Sequence, residues 1–202
     1  MNARTRDPET TRTAILDAAE DVFLARGFNG APMSEIARQA GVTKSLIHHH
    51  FGSKQELWDE VKMRRFEVYA ERQLEMIDRS EPSAALLKQS METYFHFLKH
   101  NQPLVRILAW VFLERGQDEC MKMDKGLMDA GAEKIRESQA RGEIRSDIDP
   151  RFLLFTMVGI VQHWFQDRAH VLQHLDGVDE SQVDDAYLAD VLKIFFEGVL
   201  PR

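Results

Sequence analysis

The stretch from Lys44 to His49 holds residue types that can grip a nucleic acid: one lysine, one serine and two histidines, with Leu46 and Ile47 between them. A lysine offers a point charge to a phosphate, while hydroxyl and imidazole groups bond phosphate oxygens or base edges. On a helix, Ile47 and Phe51 lie four apart on one side, which leaves Lys44, Ser45, His48 and His49 on the other. A metal reading of His48, His49 and His50 fails on geometry, since consecutive helical residues point about 100° apart and cannot converge on one ion. The single cysteine, Cys120, excludes an internal disulfide and reads as a small apolar helix residue. No glycine-rich phosphate loop, nucleophile elbow or metallohydrolase spacing occurs. The expectation is a protein that is no enzyme, with no catalytic residue, no metal and no cofactor.

A reading helix needs a brace. Met33, Ile36, Ala37 and Ala40 follow an i, i+3, i+4, i+7 pattern, one apolar face of a preceding helix. Gly41 supplies the positive φ that a sharp exit requires, Val42 plugs the corner, and Thr43 is a good N-cap for the next helix. Two short helices across a glycine turn, the second with an exposed polar face, form a helix-turn-helix suited to the DNA major groove. Asp7-Pro8 opens an earlier helix that buries Ile15, Ala18, Ala19, Val22 and Phe23 and ends at Gly27. Before it, Arg4 and Arg6 sit on a polar arm of the kind that enters a minor groove. Ser53 and Glu56 make a capping box, so a fourth helix starts at Lys54, which is placed to meet a phosphate.

These residues resemble the DNA-binding domain of the tetracycline-repressor (TetR) family. The likeness rests on Ile15 to Ala19, Phe23, Arg26-Gly27-Phe28, Ile36-Ala37, Ala40 to Lys44, and His49 to Leu57. It covers roughly the first quarter of the chain; beyond it, only an all-helical plan carries over. The resemblance implies that His48 and His49 contact phosphate or base edges, that His50 packs inward, and that the protein acts as a homodimer with a small-molecule effector. Ala31-Pro32 departs from the family's Thr followed by Thr or Ser and removes a phosphate-donating cap. His48 stands where the family usually has Tyr, and Leu46 where it often has a small residue or Thr.

The expected fold is all-α, with a three-helix domain over residues 1–53 and a helical bundle over residues 54–202. The fourth helix reads as a rod, its charges from Asp59 to Arg72 solvated. Further helices are expected at 83–100, 104–113 (buried all round), about 118–141, from 150, and 183–199. The last two are apolar on several sides, and one copy of the chain struggles to cover both. Phe155, Val158, Gln162, Phe165, Leu188, Val191, Leu192 and Phe195 are therefore expected at a two-fold four-helix interface, unless both helices are simply core. For an effector cavity, the side chains of suitable type are Phe66, Tyr94, Phe97, Trp110, Met128, His163 and Trp164, each of which also suits ordinary core.

At 202 residues the chain is long enough for a sizeable core, and its 44% hydrophobic and 29% charged residues are ordinary for a globular protein. A net charge of −7 opposes nucleic-acid binding, but the residues through Phe51 carry six Lys/Arg and six Asp/Glu. Arg12, Lys44 and Lys54 are expected on the DNA side, where screening confines the distant acidic charge to about 10 Å. The polar start and the absence of a membrane-length apolar run give a cytoplasmic expectation with no membrane partner. Together these point to a ligand-responsive repressor that binds a palindromic duplex operator as a homodimer. Two rivals stay open: a constitutive DNA-binding regulator, and an all-α small-molecule binder with a vestigial helix-turn-helix.

Overall fold

A computed structural model describes residues 7–114, 121–175, 177, 179 and 181–200, and all the regular structure among them is α-helical. The chain divides into two compact units. One runs to Glu67 and takes in the described residues from Arg106, and the other holds Val68–Val105 and those from Met121 onward. The division therefore falls inside the fourth helix and not at residues 53 and 54.

In the first unit, α1 (Pro8–Gly30) starts on Asp7, whose carboxylate accepts from the Thr10 N–H at 3.2 Å. It is broken at Gly27, where φ 69° and ψ −179° suit glycine alone. Helices α2 (Met33–Ala40) and α3 (Lys44–Phe51) follow, with α2 packed on both α1 and α3. Ile15, Phe23, Ile36, Ile47, Leu57 and Val61 form a closed centre. The Phe23 ring lies 4.8 Å from that of Trp58 on α4 (Lys54–Arg79).

The first half of α4 is not the solvated rod its charges imply. Lys62 is fully buried, paired with Asp59 at 2.7 Å and placed over the Trp58 ring. Glu60 pairs with Arg12, whose guanidinium also lies 4.9 Å from the Phe51 ring, so Arg12 braces the unit instead of facing DNA. Glu20 of α1, itself buried, accepts from both Arg64 and Arg65, and Arg64 also reaches Asp17 at 2.7 Å. A lone buried carboxylate is costly, so the two guanidinium partners are what make the position tenable.

Helix α6 (Gln102–Glu114) takes Pro103 into its first turn, where a missing N–H costs nothing. Its far half is not buried all round: the Trp110 indole donates to the Leu24 carbonyl, but Phe112 is 76% exposed. Among the described residues, only one side of that half has a neighbour to cover it.

The second unit contains α5 (Ala84–Lys99), α7 (Met121–Ala140), α8 (Pro150–Leu172) and α9 (Val183–Val199), with α8 packed against α5 and α7, and α9 against α5. Phe95 meets Phe165 at 4.8 Å between ring centres, and Trp164 stacks on Tyr187 at 4.0 Å. Buried Asp184 accepts from the Trp164 indole and the Arg168 guanidinium, tying the start of α9 to α8. The expected helix end at Arg115-Gly116, the start near Asp118, and Cys120 lie outside the described residues.

The Glu20 cluster sets a measurable order. The Glu20 side chain is 5% exposed and that of Asp17 62%. Glu20→Gln should cost about 1–3 kcal/mol in urea unfolding, against less than about 1 kcal/mol for Asp17→Asn. An equal or reversed order would show that the clamp does not rest on burial.

Candidate functional site

Helix α3 is positioned by three local devices. Gly41 adopts φ 65°, ψ 37° and donates to the Ala37 and Arg38 carbonyls, which closes α2. The Val42 N–H bonds Ala37 O at 3.0 Å, completing the turn. Thr43 Oγ1 then accepts from the Leu46 N–H at 3.3 Å and lies 3.0 Å from Ser45 Oγ. Ile47 and Phe51 are buried, so Thr43, Lys44, Ser45, His48 and His49 are exposed together on one surface, with Leu46 half-buried beside them. His50 is half-buried, its ring 5.6 Å from that of His49 and 6.3 Å from that of Phe51.

His48 is fixed more tightly than its exposure implies. Its Nδ1 lies 2.7 Å from the Gly52 carbonyl oxygen, which can only accept, so Nδ1 carries the proton. In the neutral ring Nε2 is then an acceptor. Lys54, expected to meet a phosphate, is half-buried with its ammonium 4.6 Å from the centre of the Phe28 ring. Arg4 and Arg6 lie outside the described residues. On α2 no side chain caps the first turn, as Ala31-Pro32 implies. There Arg38 and Gln39 donate to Glu35 and hold its carboxyl down at about 2. That pairing is complete above the ordinary carboxylate range and is lost only as pH falls toward 2, so it does not vary near neutrality.

The second unit holds a small cavity of about 50 Å³, partly open to solvent, between α4, α5, α7 and α8. Such a volume has room for a few waters. Tyr69, Gln73 and Ile77 line it from α4, Leu87 and Ser90 from α5, and Met157 from α8. Of the residues expected there, only Met128 lines it. Tyr94 is buried nearby, its ring 5.1 Å from Tyr69, and Phe97 stacks on Tyr69 at 4.7 Å. The other four are elsewhere. Phe66 and Trp110 belong to the first unit, Trp164 is committed to Tyr187 and Asp184, and His163 is exposed. Aromatic type alone did not separate cavity wall from core. The missed signal is the i, i+4, i+8 stripe of Tyr69, Gln73 and Ile77, hidden among the charges of α4.

The expected subunit face also needs correcting. Phe165, Leu188, Val191 and Phe195 are buried within the chain, Val158 lines the cavity, and Gln162 donates to the Tyr94 hydroxyl at 2.7 Å. Leu192 is half-buried. The apolar side chains that remain outside are Phe152 and Phe155 on α8, 67% and 59% exposed, and Ile194 on α9, 71% exposed. Helix periodicity marks an apolar stripe without saying whether its own chain covers it.

A capped, exposed helix braced by a second across a left-handed glycine defines a helix-turn-helix DNA-binding protein. Residues 15–61 match the family model described as bacterial regulatory proteins, tetR family, and residues 89–192 match the tetracyclin repressor-like C-terminal domain. The chain belongs to the tetR family of DNA-binding transcriptional regulators. It is similar to the HTH-type transcriptional regulator RutR of Escherichia coli, 26% identical over 205 residues that span 98% of this chain and 95% of that one. The HTH-type transcriptional activator FasR of Mycolicibacterium smegmatis is 32% identical over 97 residues, which cover 48% of this chain and 44% of that protein. The fold is like that of the transcriptional regulator FadR from Bacillus subtilis, solved in complex with stearoyl-CoA. There the TM-score is 0.70 at 21% identity, covering 92% of this chain and 98% of that one. AibR, solved in complex with isovaleryl coenzyme A and operator DNA, gives 0.68 at 20% identity, covering 91% and 97%. Among the described residues, no helix is long and apolar enough to cross a membrane.

The cap geometry gives a direct check. Thr43→Ala should lower stability by about 1 kcal/mol in thermal unfolding. Ser45→Ala, which leaves the Leu46 N–H bonded and puts a better helix former on the first turn, should change stability by no more than about 0.5 kcal/mol in either direction.

Proposed function

We propose that this chain is a ligand-responsive transcriptional repressor that binds a near-palindromic operator as a homodimer. The observation that carries the reading is the exposed surface of Thr43, Lys44, Ser45, His48 and His49, held outward by buried Ile47 and Phe51. Lys44 meets a phosphate, Ser45 and His49 supply phosphate or base-edge contacts, and Leu46 lies near enough to touch a thymine methyl. His48 presents Nε2, an acceptor for a cytosine or adenine amino group. Arg4 and Arg6 are assigned to the minor groove and Lys54 to a backbone phosphate, to which it turns from the Phe28 ring.

Dimerisation is supported by the exposed Phe152, Phe155 and Ile194, since large apolar side chains left outside on adjacent terminal helices call for a partner. A two-fold axis then sets two α3 helices about one DNA turn, or a small multiple of it, apart. Effector response is supported by the cavity and by two similar structures solved with coenzyme A thioesters, one of them also with operator DNA. Helix α4 supplies cavity wall at Tyr69 and Gln73 and carries Arg64 and Arg65 to Glu20. A ligand that shifts α4 thereby moves the reading head, and operator DNA weakens ligand binding by the same factor.

Selection of bound sequences from random duplex DNA should return a palindrome. With that duplex, Lys44→Ala combined with His49→Ala should lose at least about a hundredfold in affinity and flatten the salt dependence by about one unit of slope. Unchanged affinity would take α3 out of the groove. Separately, Phe155→Glu should convert the sedimenting species from dimer to monomer and weaken operator binding with it; a persistent dimer would place the interface elsewhere.

A further inference from the structure

Among the described residues, Gln73 is the one whose buried side chain leaves a polar atom without a partner, and it stands in the cavity wall. Its side chain is 2% exposed, and its amide nitrogen donates to the Tyr69 hydroxyl at 2.9 Å and to the Ser90 carbonyl at 3.1 Å. The Ser90 carbonyl can only accept, so the nitrogen must face it and the orientation of the amide is fixed. Oε1 then faces no donor among the described residues, although it is buried. Buried carbonyl oxygens are nearly always bonded, and leaving one unmet is expensive. What meets this one has to enter from the cavity that Gln73 lines.

The rest of the wall restricts the visitor. Around Gln73 stand Ile77, Leu86, Leu127, Met128 and Met157, which offer apolar contact only. Among the described residues, no acidic side chain lines the cavity, and the one charged group there is the Lys134 ammonium, which donates to the Ser80 carbonyl at 3.2 Å. A cationic donor would lose its hydration without gaining a counter-ion. Resting on the reading of this cavity as the effector site, we infer that Gln73 selects the effector: a mostly apolar compound carrying an uncharged hydrogen-bond donor, hydroxyl or amide N–H, delivered to Gln73 Oε1. An apolar compound of equal size without that donor expels water from the cavity and leaves the oxygen unmet. Discrimination therefore arises from the orphaned acceptor more than from the new bond.

Two isomeric probes isolate the donor. 1-Hexanol and 1-methoxypentane have the same atoms and nearly the same shape, but only the alcohol donates. Met128 and Met157 carry methyl groups in the cavity wall, so spectra of the full-length protein labelled with carbon-13 at the methionine methyls report occupancy at the site itself. In the unsubstituted protein, hexanol should bind about tenfold more tightly than methoxypentane, as expected when a buried acceptor is met or left unmet. In Gln73→Leu, which removes the amide at similar size, that preference should collapse to near parity through a gain in ether affinity. Gln73→Met repeats the comparison should the leucine variant not fold. Equal affinities for both probes in the unsubstituted protein, or an undiminished preference in the variants, would overturn the role of Gln73 while keeping the cavity as a ligand site. If neither probe moves the two methyls, the cavity is not a ligand site, and this inference goes with it.

Discussion

The orientation of helix α3 depends on the burial of two side chains, Ile47 and Phe51. Helix α3 has eight residues, well short of the roughly 12–15 at which an isolated helix begins to hold in water. It therefore has no stability of its own to speak of. The capping hydroxyl of Thr43 and the left-handed Gly41 decide where the helix starts, but only the two buried residues decide which side faces out. Once they are seated, every remaining side chain of α3 has its direction. A polar residue at Ile47 would leave the same hydroxyls, imidazoles and ammonium in the sequence with no common surface to act from.

Helix α4 does two different jobs along its length, and charge means something different in each. Toward its start the charged groups are internal fasteners. Arg64 and Arg65 close on Glu20, Glu60 closes on Arg12, and Lys62 is buried between Asp59 and the Trp58 ring. Further along, the helix turns Tyr69, Gln73 and Ile77 into the cavity of the second unit. Ion pairs between two exposed groups hold weakly, whereas those anchored on a buried carboxylate are hard to break, because the stranded charge has nowhere to go. The Glu20 cluster is of the second kind. It fastens the first half of α4 to α1 within the helix-turn-helix unit.

The helix-turn-helix was fully readable in the residues. Gly41, Thr43, the Ser53–Glu56 box and the Asp7-Pro8 pair act over three or four residues, and such short-range geometry is the same in a peptide as in a fold. Helix limits followed for the same reason, with α4, α8 and α9 within a residue or so of their expected starts. The cavity was not readable. Trp110 and Trp164 have the composition of a ligand wall, yet one is spent on the Leu24 carbonyl and the other on Tyr187 and Asp184. Nor was the outer face of the terminal helices: Phe155 and Phe165 look alike in the sequence, but one is outside and the other is packed on Phe95.

By itself, then, the sequence determined where α1, α3, α4, α8 and α9 begin, where the chain turns after α2, and that Lys44, Ser45, His48 and His49 share one polar side. Tertiary structure alone decided which apolar stripes the chain covers with itself, which charges become internal clamps, and which polar atom, Gln73 Oε1, is left facing a cavity. The reason is that caps and turns are set by bonds to near neighbours along the backbone. Burial, in contrast, is set by whatever lies opposite, and residues such as Gln73 and Ser90 meet only after the helices have packed.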